Sequence, residues 1–280
     1  MHPVLFSVDF FGLLKEPVSL HVYGLLIAMG FLLAMQLAAR QAGREGEEPD
    51  RIIDLSFYLL IWGLVGSRLV FIFTKLPQYM ANPQEIVMFW KGGLVFYGGF
   101  IGAAVYLIYF ARKYQVDYFK IVDIMIPYVA MAHAFGRLGC LAAGCCFGKP
   151  TEAPWGVIFP VASMAQQQQQ SQGLVGFDSS ALPVHPTQLY EAGFELLMFW
   201  LLLSLRPHKR FHGQLFLVWL AVYPVVRSFI ELFRGDKERG IYGFLSTSQY
   251  ISIGVAVTAA VVYFFLRNRR RGGDAAIAAA

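Results

Sequence analysis

Long apolar runs alternate with short polar interruptions along the chain. A helix that crosses roughly 30 Å of hydrocarbon needs about 20 mostly apolar residues, and about seven such runs can be placed, at approximately 18–39, 52–74, 95–111, 119–143, 187–205, 214–233 and 247–266. The third is the shortest, and it begins near Trp90 if Lys91 reaches back to the interface. The pattern predicts an all-α integral membrane protein of about seven transmembrane helices. No internal repeat and no Pro/Gly linker divides it, so a single polytopic domain over residues 1–280 is expected.

Composition agrees with that reading. Hydrophobic residues make up 57% and charged residues 15%, and the mean hydropathy is +0.52, which excludes an ordinary water-soluble domain. Residues Met1 to Glu16 lack a basic region, and the first run ends in Ala38-Ala39-Arg40-Gln41 with no small-x-small cleavage site. No removable signal peptide is expected. The formal charge of +5 does not imply a nucleic-acid partner, because no basic cluster is interleaved with aromatics; the excess lies in short loops.

Those loops carry a topology signal. Cytoplasmic loops accumulate Lys and Arg, and one side of the arrangement holds about 13, from Arg40 to Arg271, against about seven on the other. This places the amino terminus outside, in the periplasm, and the carboxyl terminus in the cytoplasm. Of the 23 Lys and Arg residues, Arg68, Arg137 and Arg227 remain, all inside spans and all in the outer half of their helices. His21 and Tyr23 open the first span, Tyr97 the third, and His185, Gln188, Tyr190, Glu191 and Glu195 the fifth, at the same depth.

An arginine at the centre of a membrane helix costs roughly 2.5–3.5 kcal/mol on insertion scales, so each needs a partner or a water-filled cavity. Arg227 has Glu231 four residues on, a structural pairing on one helical face. Arg68 and Arg137 have no acid at three or four residues' distance, so their partners come from another helix or from a ligand. An anion that lives in the bilayer is a phospholipid head group, and a guanidinium fork suits phosphate oxygens. The competing reading is purely structural pairing.

Other features carry less. Gly92, Gly93, Gly98, Gly99 and Gly102 surround Tyr97, to let helices approach closely, to leave room for a head group, or both at once. His133 stands four residues before Arg137. The segment at about 144–186 forms the longest outer-side connection; its Gln166 to Gln170 tract reads as a compositionally biased, mobile spacer. Cys140, Cys145 and Cys146 follow a C-x4-C-C spacing with no nearby histidine pair, a weak match to a zinc site, and no metal is expected. There is no serine nucleophile elbow, nucleotide loop or zincin pair. On these residues alone three readings stand open: a lipid-modifying enzyme, a non-catalytic phospholipid-binding or lipid-transport protein, and a structural membrane subunit.

Several motifs occur together in order: His21-Val22-Tyr23-Gly24, Gly66-Ser67-Arg68-Leu69, Trp90-Lys91-Gly92-Gly93 with Tyr97-Gly98-Gly99, and Gly136-Arg137-Leu138-Gly139. His185-Pro186-Thr187-Gln188-Leu189-Tyr190-Glu191 and Tyr223 to Arg227 follow, then Glu231-Leu232-Phe233-Arg234. In this the chain resembles the bacterial phosphatidylglycerol-prolipoprotein diacylglyceryl transferases over nearly its whole length. The resemblance implies an inner-membrane enzyme, its site toward the periplasmic leaflet. It would move the diacylglyceryl group of phosphatidylglycerol to the lipobox cysteine of a prolipoprotein, without a soluble cofactor.

By the same resemblance Arg137 and Arg227 match essential arginines, and Tyr23, Arg68, Glu231 and Arg234 match other motif positions. Catalytic roles are expected for Arg137, Arg227, Tyr97 and His21. Substrate-binding roles are expected for Tyr23, Arg68, Gly98, Gly99, Cys140, Glu231, Arg234 and His185. The chain departs from the family pattern at three places: Tyr97 stands for a histidine, Cys140 for an asparagine, and Gly144-Cys145 for Gly-Glu. A tyrosine with a pKa near 10 is a poor general base but a good hydrogen-bond donor to phosphate. Tyr97 is therefore expected to orient the head group, with deprotonation passing to His21 or water.

Overall fold

A computed structural model describes residues 4–8, 18–88, 92–235, 241–242 and 245–278. Trp90 and Lys91 of the motifs above, and Lys15, Lys237 and Arg239, three of the basic residues counted on the outer side, lie outside the described residues. In chain order the elements are β1 (Val4–Val8), β2 (Val18–His21), α1 (Val22–Arg44), α2 (Pro49–Thr74), α3 (Leu76–Ala81) and α4 (Phe96–Tyr114). They continue with α5 (Tyr118–Ala143), α6 (Met164–Ser171), α7 (Thr187–Leu205), α8 (Gln214–Glu231), β3 (Ile241–Tyr242), β4 (Leu245–Ser246) and α9 (Thr247–Ala278). Helix dominates, and the strands form two small antiparallel hairpins.

Six of the described helices are long and apolar enough to cross a membrane. They are α1, α2, α5, α7, α8 and α9. The third expected span, α4, has 19 residues but is diluted by glycines, tyrosines and the Arg112-Lys113 pair, which keep it out of that group. Apolar side chains such as Leu197 and Trp200 on α7 and Val261 on α9 are largely exposed, as faces turned to hydrocarbon would be.

The expected first span begins four residues late. Val18-Ser19-Leu20-His21 alternates apolar and polar side chains, the period of a strand rather than a helix, and β2 pairs with β1 from Val4↔His21 to Val8↔Val18. His21 therefore closes a strand and does not open a helix. At its other end α1 runs on through Arg40 and Gln41 until Gly46, whose φ of 77° ends helical geometry. Pro49 sits in the first turn of α2, where its missing N–H is not needed, with Asp50 beside it. Gln115, in left-handed geometry, caps the carboxyl end of α4.

The chain packs as two compact units, Met1–Ala34 with Met125–Ala280, and Met35–Ile124. In the second, α2 and α4 pack backbone to backbone. A Cβ on Gly98 would lie 2.8 Å from Cβ of Val70, and one on Gly99 3.2 Å from the Gly63 carbonyl oxygen. The room at Gly98 and Gly99 is thus filled by α2, in the manner of small-residue helix contacts; it does not form an open head-group pocket.

Arg68, buried on the same helix, spends its guanidinium on main-chain carbonyls. It donates to Ile86 (3.1 Å), Gly92 (2.7 Å), Gly93 (3.3 Å), Met88 (3.3 Å) and Glu85. These bonds anchor the segment between residues 85 and 93. An ammonium cannot reproduce this fork. Arg68→Lys is expected to destabilise the protein by about 1–3 kcal/mol through carbonyls left unmatched, seen as a lower detergent melting temperature and faster proteolysis at that segment.

In the first unit, Ile126 and Ala130 of α5 pack on Met198 and Leu202 of α7 and Leu215 of α8. The segment between α5 and α7 has a core of its own, Phe147, Phe159, Ala165, Ala181 and Val184. The glutamine tract is part of that structure and is not a spacer. It forms α6, capped by Ser163, whose hydroxyl accepts from the Gln166 N–H. Gln166 and Gln169, three residues apart on one face, are each 2% exposed. Gln166 donates to the Gly176 carbonyl, while Gln169 accepts from the Leu182 N–H (2.6 Å) and donates to the Leu182 carbonyl (3.3 Å). Amides that replace missing secondary-structure partners are what an irregular buried segment requires. Gln169→Ala leaves both Leu182 groups unmatched and is expected to cost about 1–3 kcal/mol, measured by thermal unfolding, whereas the same change at exposed Gln167 should leave the melting temperature nearly unchanged.

Candidate functional site

Helical spacing brings the polar side chains of the first unit together. His133, Arg137 and Cys140 follow one face of α5, Gln188, Glu191 and Glu195 one face of α7, and Trp219, Tyr223, Arg227 and Glu231 one face of α8. The three faces meet on Glu191. Its Oε1 lies 2.7 Å from Arg137 Nη2 and 3.7 Å from Arg227 Nε, and it accepts from the Tyr223 hydroxyl at 3.3 Å. Glu195, fully buried, accepts from His133 Nδ1 (2.7 Å) and from the Trp219 indole N–H (3.3 Å). Arg137 Nε donates to His133 Nε2 at 3.2 Å. With Nδ1 facing a carboxylate and Nε2 facing a guanidinium, these partners assign a neutral His133 with its proton on Nδ1.

The partners of the two intramembrane arginines are therefore carboxylates from α7 and α8, which offset the cost of placing them at this depth. They are not closed off. The Arg137 and Arg227 side chains keep 17% and 14% of their surface exposed. Arg227 Nη1 forms an ion pair with Glu231 Oε2 at 2.9 Å, and among the described residues this buried nitrogen has no hydrogen-bond acceptor in good alignment.

Tyr23, in the first turn of α1, lies along α5 at Gly139, where a Cβ would come 3.1 Å from its ring. One turn back, a Cβ on Gly136 would meet nothing, so the helix surface beside Arg137 is open. Arg234, 6% exposed, sits past the end of α8. There Phe233 and Gly235 join the turn after α5: the Lys149 N–H donates to the Phe233 carbonyl at 2.8 Å, and the Gly235 N–H to the Phe147 carbonyl at 3.4 Å.

The Cys145 thiol donates to the Cys140 carbonyl at 3.6 Å, and the neighbouring Cys140 and Cys145 side chains, with the Arg234 guanidinium adding to them, hold the Cys146 thiol well below its usual range. Its neighbour Cys145 is pushed up by the same contacts and by burial.

His185 is not part of this cluster of charges. Its Nδ1 is 3.1 Å from the Tyr190 hydroxyl, which accepts from the Trp155 indole at 2.7 Å. These three line a groove of about 410 Å³ with Val226, Phe229, Ile230 and Phe233. The groove is apolar and begins one residue from Arg227.

Arg68, Gly98, Gly99 and Tyr97 belong to the other unit. Tyr97 is 54% exposed in the first turn of α4, its ring edge-on to Phe96. His21 is exposed at the end of β2.

The site residues expected from sequence omit His133, Glu191, Glu195, Trp219 and Tyr223. Their signal was a periodic one: polar side chains at steps of three or four inside apolar helices. What sequence does not carry is which helices face one another.

Comparison with known proteins meets this geometry. Residues 10–265 match the family described as prolipoprotein diacylglyceryl transferase. A phosphatidylglycerol-prolipoprotein diacylglyceryl transferase of Clostridium tetani is 34% identical over 97% of this chain and 100% of its own length. Relatives of the same name from Bordetella bronchiseptica and Erwinia tasmaniensis are 34% and 30% identical, over 92% and 96% of this chain and 95% and 93% of their own. The match spans every element that contributes to the Glu191 cluster, and the chain belongs to the prolipoprotein diacylglyceryl transferase family.

Proposed function

We propose that this protein transfers the diacylglyceryl group of phosphatidylglycerol to the thiol of the lipobox cysteine of a prolipoprotein, the first step of lipoprotein maturation. It does so in the bacterial cytoplasmic membrane, with its amino terminus in the periplasm, its carboxyl terminus in the cytoplasm and its site toward the periplasmic leaflet. The observation that carries the reading is the convergence of Arg137 and Arg227, from different helices, on one buried carboxylate, while 17% and 14% of the two arginine side chains stay exposed. The family match and the names of the relatives support it.

In the proposed step the substrate sulfur attacks the glyceryl carbon that carries the phosphate ester. The carbon–sulfur bond forms as the carbon–oxygen bond breaks, and glycerol phosphate leaves with the electron pair. Charge develops on the departing phosphate, where Arg137 and Arg227 stabilise it more than in the ester. Glu191 fixes the direction of both forks, and Tyr23 flanks the head group beside open Gly136. The thiol, mostly protonated near neutral pH, passes its proton to His21, two residues before Tyr23, or to water. The apolar groove beside Arg227 takes a hydrocarbon part of a substrate.

Tyr97 orients the head group by a phosphate hydrogen bond. Tyr97→Phe should then lower transfer at least tenfold, as expected for one lost hydrogen bond to a charged group; unchanged transfer would refute that role. The whole reading is tested by incubating purified protein with phosphatidylglycerol and a lipobox peptide. The thioether-linked peptide and free glycerol phosphate are expected in equal amounts. A folded protein that binds the phospholipid and forms no thioether would instead be a lipid-binding protein.

A further inference from the structure

The proposed reaction gives Cys145 and Cys146 no part, and the structure gathers them with Cys140, for which the resemblance implies a place at the substrate. Cys140 lies in the last turn of α5, with Cys145 and Cys146 in the tight turn that follows, and the three sulfurs all lie within 4.8 Å of one another. The turn is held from several directions. The Cys145 N–H donates to the Cys140 carbonyl at 3.1 Å. The Gln188 amide donates to the Cys145 carbonyl and the Thr187 hydroxyl to the Cys146 carbonyl, each at 2.7 Å. Both donors are 1% exposed. Cys146 adopts φ 61°, a conformation costly for a side chain other than glycine.

The donor set defines a ligand class. Three sulfurs bonded to one ion at about 2.3 Å in a plane stand about 4 Å apart, within small side-chain rotations of the observed arrangement. An all-sulfur set selects a soft ion. Zinc fills four positions, and among the described residues no histidine or carboxylate joins the three sulfurs as a fourth ligand within the cluster. A monovalent copper ion is satisfied by three.

Charge agrees. Three thiolates around a monovalent cation leave a complex of two negative charges. Arg234 hydrogen-bonds Cys146, and Arg137 lies within electrostatic reach of Cys140 and Cys146. We propose that Cys140, Cys145 and Cys146 form a three-thiolate site for a soft monovalent metal ion of the copper(I) type. Binding releases the thiol protons and involves no change of oxidation state. The anionic complex would engage Arg137 and Arg234, so the ion should inhibit transfer; that consequence, unlike the binding itself, rests on the proposed function.

The test is anaerobic titration of the reduced, full-length protein in detergent with copper(I), buffered by a chromogenic copper(I) chelator. One equivalent should be taken per chain, with thiolate-to-copper absorption in the ultraviolet. The chain holds only these three cysteines, so the band reports this cluster alone. Cys140→Ser and Cys146→Ser should each weaken capture at least tenfold, and X-ray absorption at the copper edge of the unsubstituted protein should find three sulfur neighbours. Failure to compete with the chelator, retention of copper by both variants, or two sulfur neighbours would overturn the proposal. So would reoxidation of two of the thiols to a disulfide in preference to binding the ion. None of these outcomes depends on whether thioether is formed.

Discussion

Arg137→Lys is expected to lower the transfer rate at saturating phosphatidylglycerol at least a hundredfold while the protein remains folded. Lysine keeps the positive charge that Glu191 needs at 2.7 Å, so it avoids the loss of about 3–5 kcal/mol that follows when a buried ion pair is cut to one partner. It cannot keep the fork. Arg137 uses Nε on His133 and Nη2 on Glu191, and in the proposed reaction the rest of the guanidinium serves the phosphate. A single ammonium must choose among these partners. Loss of one pre-aimed donor to developing charge costs about 2.7–4 kcal/mol, a hundredfold to a thousandfold in rate. Thermal unfolding in detergent, alongside the rate, separates the loss of catalysis from the loss of fold.

Glu191→Gln should give a different kinetic signature. Glu191 faces Arg137, Arg227 and Tyr223 together, so it both neutralises the two guanidiniums and competes with phosphate for them. An amide of the same shape removes the charge. Two cations then lie uncompensated, stability falls by about 3–5 kcal/mol, and the anionic head group is held at least as tightly as before but without the alignment that Glu191 imposed. The expected result is kcat reduced at least tenfold with KM unchanged or lower, the pattern of an interaction that matters in the transition state and not in binding. A raised KM with unchanged kcat would mean that Glu191 contributes only to lipid binding.

The membrane helices were legible in the sequence because run length is a one-dimensional property: six of the seven expected spans fall on described helices long and apolar enough to cross a membrane, the third falls on α4, and α9 runs on past its expected end to Ala278. The failures had local causes. At Val18 to His21 an alternating strand pattern abutted the first apolar run and was absorbed into it. In α6, glutamines that compose a low-complexity tract turned out to carry the hydrogen bonds of the Gly176 to Leu182 backbone, and composition alone cannot distinguish a solvated amide from a buried one. Gly98 and Gly99 had two readings on sequence, and the contact with α2 selects packing.

The arginines divide in the same way. Arg227 and Glu231 were readable as a pair from their spacing. The partner of Arg137, Glu191, lies 54 positions away on another helix, and the partners of Arg68 are carbonyls, which no side-chain pattern reveals. The resemblance to a family singled out Arg137 and Arg227 as candidates, whereas the geometry supplied the carboxylates beside them. Cys140, Cys145 and Cys146 stand where both sources were weakest: their spacing matched no ligand motif, and only the turn after α5 brings their sulfurs together.

The central claim is that two carboxylate-held arginines stabilise a phosphate leaving group. Its most direct measurement is single-turnover thioether formation on a lipobox peptide at saturating phosphatidylglycerol, with the unsubstituted protein and Arg137→Lys side by side. The account predicts one glycerol phosphate released per thioether formed and a rate for the variant at most about one-hundredth of the other. A folded Arg137→Lys protein that forms thioether within about threefold of the unsubstituted rate, less than 1 kcal/mol, would contradict it.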